Sequence, residues 1–173
     1  MATPGQVIEV PHTGEKFVFV ETTEQTGGER LVLDFFVNPG GFSPRPHVHL
    51  DVEERVHVRA GRVSLTLSGE TTELGPGESA VVPVHVPHGL EAAGDEQAHM
   101  TIEVIPAGAF EPLFETVFGL YRDGKSDAHG REPLLAGIPL ARATNSYLAG
   151  PPIWAQRVFL FIGAPISRLF GYR

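Results

Sequence analysis

The sequence predicts an antiparallel β sandwich or barrel followed by a helical segment. Three observations carry that expectation. Glycine and proline are abundant, 20 and 15 of 173 residues, and they cut the chain into short pieces that suit strands and turns. Apolar and polar residues alternate with period two in several pieces, as half-buried strands require. After Pro106 the apolar spacing lengthens to the helical repeat.

Residues 6–10 and 17–20 are short β-prone runs, and Thr26, Gly27, Gly28 and Glu29 signal a turn. Residues 30–37 form a longer apolar run that stops at Asn38, Pro39, Gly40 and Gly41. Next, Arg55, His57 and Arg59 alternate with Val56 and Val58, and Val63, Leu65 and Leu67 with Ser64, Thr66 and Ser68. Turns at 68–70 and 74–77 lead to strands at 79–82 and 99–105. In the last of these, Met100, Ile102 and Val104 are expected inward and His99, Thr101 and Glu103 outward. The reverse would make Glu103 an acid–base candidate. Over 111–122, Leu113, Phe114, Val117, Phe118 and Tyr121 share one helix face. Residues 123–131 read as a loop. A second helical stretch is expected over 133–149, interrupted near Gly137 and Pro139. Pro151 and Pro152 open a last helix reaching about residue 170, with a break expected at Gly163, Ala164 and Pro165. The expected division is a β barrel over 1–109 and a helical extension over 110–173.

Hydrophobic residues at 42% and charged residues at 20% are ordinary for a globular chain. The absence of cysteine excludes disulfides and thiolate ligands. A net charge of −8 argues against nucleic-acid binding. That charge is uneven. Residues 1–109 carry sixteen acids and six bases, whereas 133–173 hold no acid and four arginines, Arg142, Arg157, Arg168 and Arg173. The tail is expected to pack on the acidic barrel of its own or a partner subunit, in a homodimer, in preference to a membrane surface. Its uncharged stretch, 158–167, is too short to span a bilayer. The first five residues lack a basic region followed by an apolar stretch, so the expected location is cytoplasmic.

The chemistry-bearing segment is GFSPRPHVHLDVEERVHVRAG, residues 41–61. His47 and His49, two apart on a strand, face the same way. A carboxylate follows, and parity selects it. Glu54 inward takes Val56 and Val58 inward too, whereas Glu53 inward would bury Arg55 and Arg59. Glu53 is therefore assigned to solvent. The histidines have the opposite parity, so residues 50–53 must bend or bulge, with Asp51 in the turn. A second segment, GESAVVPVHVPH at 77–88, ends a short strand at Pro83 and offers His88 as a fourth ligand. Three imidazoles and a carboxylate suit one divalent transition metal: iron, manganese, nickel, zinc or copper.

Both segments resemble the two motifs of the cupin superfamily. Gly41, His47, His49, Glu54 and Gly61 meet the first pattern without a gap. Gly77, Pro83 and His88 meet the second, while His85 stands where glycine is usual and Ala92 where asparagine is usual. The resemblance covers about residues 6–106, and the tail looks like the helical extension of some small bacterial single-domain cupins. It implies a double-stranded β-helix (jelly-roll) barrel with C-terminal helices, holding a metal on His47, His49, Glu54 and His88. The implied function is that of an oxygenase-type oxidoreductase, such as a dioxygenase, acting on a small organic molecule. The alternatives are a metal-dependent isomerase or lyase and a non-catalytic binding protein. Arg45 could hold an anionic substrate at the mouth, and no catalytic residue is assigned. His57, His12 and His129 are read as surface histidines.

Overall fold

The β-rich part of the chain folds into two antiparallel sheets that face each other across an apolar core. The computed structural model describes residues 2–172. One sheet contains β1 (Val7–Val10), β2 (Glu15–Glu21), β3 (Leu31–Val37), β5 (Glu53–Ala60), β8 (Ser79–Val82) and β10 (Ala98–Ile105), in the order β1-β2-β3-β10-β5-β8. The other contains β4 (His47–His49), β6 (Arg62–Leu67), β7 (Glu70–Leu74), β9 (His88–Ala93) and β11 (Ser146–Leu148), in the order β11-β4-β9-β6-β7. This is a jelly-roll type of sandwich. Hydrogen bonds do not join the two sheets into the closed barrel expected above, and each keeps its own edges among the described residues.

The alternation read from the sequence places the core. Phe17, Phe19, Leu33, Val56, Val58, Val63, Met100 and Val104 are buried between the sheets. Met100, Ile102 and Val104 point inward, so Glu103 lies on the other face, opposite Arg55 and Val32, and is no acid–base group of the interior. His57 likewise sits outside, with its Nδ1 2.6 Å from Ser79 Oγ.

Three helices follow: α1 (Phe110–Arg122), α2 (Leu134–Ala143) and α3 (Ile153–Leu169). α1 buries Phe110, Val117, Phe118 and Tyr121. Phe118 meets Phe17 and Phe42 at ring-centroid distances of 4.5 and 4.6 Å. The helix expected over 133–149 ends at Ala143, and Ser146–Leu148 instead pair with β4 as the edge strand β11. Asn145 makes the reversal in the left-handed region, at φ 49°. The expected break at 163–165 is absent, and α3 runs through it. Gly163 is there for packing, since a Cβ would sit 2.7 Å from Ile138 Cδ1. Pro165 faces away from α2 and is exposed, where an unpaired carbonyl is solvated at little cost.

Two buried carboxylates hold the layers together. Glu111 accepts the backbone N–H groups of Ala2 and Thr23, both at 2.8 Å. Glu15, fully buried, accepts those of Asn38 and Phe42 at 3.1 and 2.8 Å and the Tyr121 hydroxyl at 2.8 Å. A Cβ on Gly41 would overlap Glu15 Oε1, which accounts for the glycine. Burial, then the hydrogen bond to Glu15, push the Tyr121 phenol up to about 12. Tyr121 thus holds its proton more tightly folded than unfolded, where its pKa is about 10. Its contribution is complete below about pH 10 and is lost as pH rises through the folded value. Denaturant titrations at pH 9 and pH 11 are expected to show that loss in the wild type and a smaller one in Tyr121→Phe.

Candidate functional site

β4 and β5 belong to opposite sheets, and this is how residues of opposite parity converge. The chain bends at Leu50 and Asp51 and crosses from one sheet to the other. His47 and His49 then point inward from β4, while Val48 between them packs outward against Ile138, Tyr147 and Leu160 of the extension. Glu54 points inward from β5 with Val56 and Val58, and Glu53 faces out and pairs with Arg55 at 2.9 Å. His88 is the first residue of β9, directly opposite His47 in the ladder. All four side chains meet at one place, and His88, expected just past the end of a strand, instead opens β9.

The four functional groups are within contact of one another. His47 Nε2 and His49 Nε2 are 3.1 Å apart. Glu54 Oε1 is 3.3 Å from His49 Nε2, and Glu54 Oε2 is 3.3 Å from His88 Nε2. The other ring nitrogen of each histidine is held. His47 Nδ1 lies 2.8 Å from the Arg45 carbonyl oxygen, His88 Nδ1 3.1 Å from that of Val86, and His49 Nδ1 2.8 Å from Ser146 Oγ. A carbonyl only accepts, so Nδ1 of His47 and His88 carries the hydrogen and the Nε2 lone pairs turn toward the centre. Ser146 Oγ in turn reaches Thr144, so the same assignment serves His49.

The electrostatics of the cluster differ from group to group. Burial, reinforced by its histidine neighbours, lowers His47 to about 3. Burial alone would raise Glu54, but His49 and His88 outweigh it and hold the carboxyl well below its ordinary range. Burial pushes His88 down, yet the Glu54 carboxylate pushes harder and the net direction is up. His88 Nε2 is fully buried and has no hydrogen-bond partner. Two facing lone pairs and one orphaned nitrogen, set around a carboxylate, are costly by themselves. They are the donor set a cation satisfies, and His47, His49 and His88 could hold a metal ion.

The centre opens into a cavity of about 500 Å³ between the sheets and the extension. Its walls are mostly apolar: Phe35, Phe42, Met100, Phe110, Phe114 and Leu160 among others. Arg45, Arg131 and Glu132 add charge to the lining. Burial raises the Glu132 carboxyl. Arg45, expected either at the mouth or as a solvated loop arginine, lines the cavity and is exposed. Ser146 and Glu132 were not legible, because both lie in the extension, where only the topology brings Ser146 to His49 and Glu132 to the cavity wall.

The second motif departs from its pattern at His85, and the structure shows how the turn survives. His85 takes the left-handed conformation, φ 66°, that a glycine would adopt freely. Its backbone N–H still donates to the His49 carbonyl at 2.8 Å. His85→Gly is accordingly expected to stabilise the fold by about 1 kcal/mol, read from denaturant midpoints. Ala92, at the other departure, is buried in β9 opposite Val63.

Comparison with known proteins agrees with this architecture. Residues 34–105 match the family model for the cupin domain. Over 60 residues the chain is 35% identical to a protein named polyketide synthase CurC from Streptomyces cyaneus, a match covering 35% of this chain and 39% of that protein. The chain thus spans about two fifths of that relative's length. Among solved structures, one described as a predicted oxalate decarboxylase from Thermotoga maritima has a TM-score of 0.50 at 16% identity, covering 53% of this chain and 80% of the other. KdgF from Halomonas sp. has a TM-score of 0.48 at 22% identity, over 57% and 85% of the two chains. Identities this low speak to the fold alone. Fold, motifs and family match converge on one assignment: this chain carries a cupin domain, matched over residues 34–105.

Proposed function

We propose that the chain is a metal-dependent enzyme acting on a small, largely apolar organic molecule at a mononuclear centre formed by His47, His49, Glu54 and His88. The observation that carries this reading is the set of three inward Nε2 atoms gathered on one carboxylate beside a cavity of about 500 Å³. Four protein donors leave positions open in an octahedral site, and imidazole suits iron, manganese, nickel, zinc and copper alike. Such a metal supplies Lewis acidity and, in the case of iron, redox chemistry toward dioxygen.

The chain's own residues supply the rest. Phe35, Phe42, Phe110 and Phe114 exclude water and hold a carbon skeleton. Arg45 and Arg131 offer guanidinium groups to a substrate oxygen anion. Glu132, with its carboxyl raised by burial, adds a titratable group to the lining of the same cavity. Charged groups beside the donor set favour catalysis over passive binding, and an oxygenase-type oxidoreductase is the leading reading. The Glu132 carboxyl in the cavity lining motivates a second, a metal-dependent lyase or isomerase. All four ligands come from one chain, so the site does not depend on the homodimer expected from the sequence. In this reading residues 110–173 are an extension that walls the cavity of the cupin domain at 1–109.

Elemental analysis of the purified protein, followed by oxygen uptake with iron loaded and a panel of small apolar carbonyl compounds, tests the proposal. Substrate-dependent uptake supports the oxygenase reading. Turnover without uptake supports the lyase or isomerase, for which Glu132→Gln is expected to slow the reaction about a hundredfold. Metal at full occupancy with binding but no turnover leaves a binding protein.

A further inference from the structure

One side of α3 is packed, against α2 and, through Leu160, against Val48 of β4. Leu160, Gly163 and Ser167 are buried, and Ser167 Oγ donates to the Leu135 carbonyl at 2.7 Å. The opposite half of the helix is bare. At 100° per residue, Trp154, Val158, Phe161, Ile162, Pro165 and Leu169 share that half. Trp154 is 72% exposed, Phe161 74% and Leu169 85%. Helix α3 is not long and apolar enough to cross a membrane.

The charges that α2 and α3 themselves carry are all of one sign. Arg157 and Arg168 are the charged residues of α3, and no acid occurs from 133 onward. Next to the face, α2 and α3 enclose a second cavity of about 270 Å³ lined by Arg142, Arg168, Ser167 and Tyr172 and by no acidic residue. The occupant of such a surface must be apolar and anionic at once. A second copy does not meet both needs. Its own α3 is apolar but carries the same arginines. Its barrel is acidic, but the large apolar residues exposed there are scattered valines such as Val7, Val20 and Val81. An anionic lipid surface meets both.

We propose that α3 is an interfacial helix that docks the protein on an anionic bilayer, its apolar half among the acyl chains and headgroups, with Arg142 and Arg168 taking lipid phosphate. Phe159 and Leu160 of the same helix line the large cavity, so docking brings that cavity close to the lipid surface. The proposal stands independently of the metal centre.

Flotation of the full chain with vesicles tests it, alongside sedimentation velocity without lipid. The chain is expected to float with phosphatidylcholine vesicles containing phosphatidylglycerol, to float far less with phosphatidylcholine alone, and to be released by added salt. Phe161→Glu with Leu169→Glu should abolish flotation. Arg142→Ala with Arg168→Ala should weaken it by at least roughly tenfold, and this pair decides the matter if the glutamate variant does not fold. No flotation, equal flotation with both vesicle types, or flotation unchanged in the folded variants overturns the proposal. So does a wild-type dimer that the glutamate variant dissociates, which assigns the face to a second copy.

Discussion

Glu54→Ala and His49→Ala are each expected to purify without stoichiometric metal, whereas the wild type holds a single ion per chain. Glu54 touches both His49 and His88 at 3.3 Å and is the one anion of the cluster. Its loss removes a ligand and the charge that offsets the cation. His49 is the histidine tied to the extension, through Ser146 at 2.8 Å. Ser146→Ala leaves all four ligands in place but frees the imidazole, so affinity should fall by about 10- to 100-fold rather than vanish. Metal content of the three variants, measured on folded protein, separates ligand from supporting residue. Full occupancy in both Glu54→Ala and His49→Ala would sink the assignment.

Glu15→Ala is expected to be the most destabilising single change outside the site, at about 4 kcal/mol. Truncation strands two backbone N–H groups, of Asn38 and Phe42, and leaves the Tyr121 hydroxyl only its longer bond to the Ala128 carbonyl at 3.3 Å. Glu15→Gln keeps an acceptor for these donors and should lose less than half as much. The Asn38–Phe42 turn leads directly into the strand that carries His47 and His49. Glu15→Ala should therefore weaken metal binding as well, although Glu15 lies outside the ligand set. Denaturant unfolding of both variants is the check, and a loss below about 1 kcal/mol for Glu15→Ala would show that the carboxylate is not what ties the layers.

The inward placing of His47, His49 and Glu54 was legible because strand parity is strict. A period of two forces Glu54 inward once Val56 and Val58 belong to the core, and it places His47 and His49 together. What parity alone left open was how two segments of opposite phase meet, and the answer is a change of sheet at Leu50 and Asp51. β2, β3, β5, β6 and β10 were legible for the same reason, whereas β9 was not read as a strand. β7, Glu70–Leu74, was not, because four of its five residues are exposed and show no alternation. β11 was missed because three residues after a helix carry no periodic signal and depend on pairing with β4. The helical spacing of 153–169 was read correctly. Gly163 and Pro165 misled because both were taken as breakers, when one packs on Ile138 and the other faces outward.

The buried carboxylates were invisible for a different reason. Glu15 and Glu111 are satisfied by backbone N–H groups from distant segments, and no local pattern announces such a partner. The same holds for Glu132, which only the closing of the extension over the cavity brings to the site. Local pattern thus reached the four clustered side chains but not Ser146, which holds the His49 ring, or Glu132 in the cavity wall.

The most direct test of the central claim is an anomalous difference map from crystals of the wild-type protein grown with manganese or zinc. The account predicts one strong peak per chain, within bonding distance of Nε2 of His47, His49 and His88 and of a Glu54 carboxylate oxygen. A strong peak elsewhere, with these four side chains bonded only to one another, would contradict it.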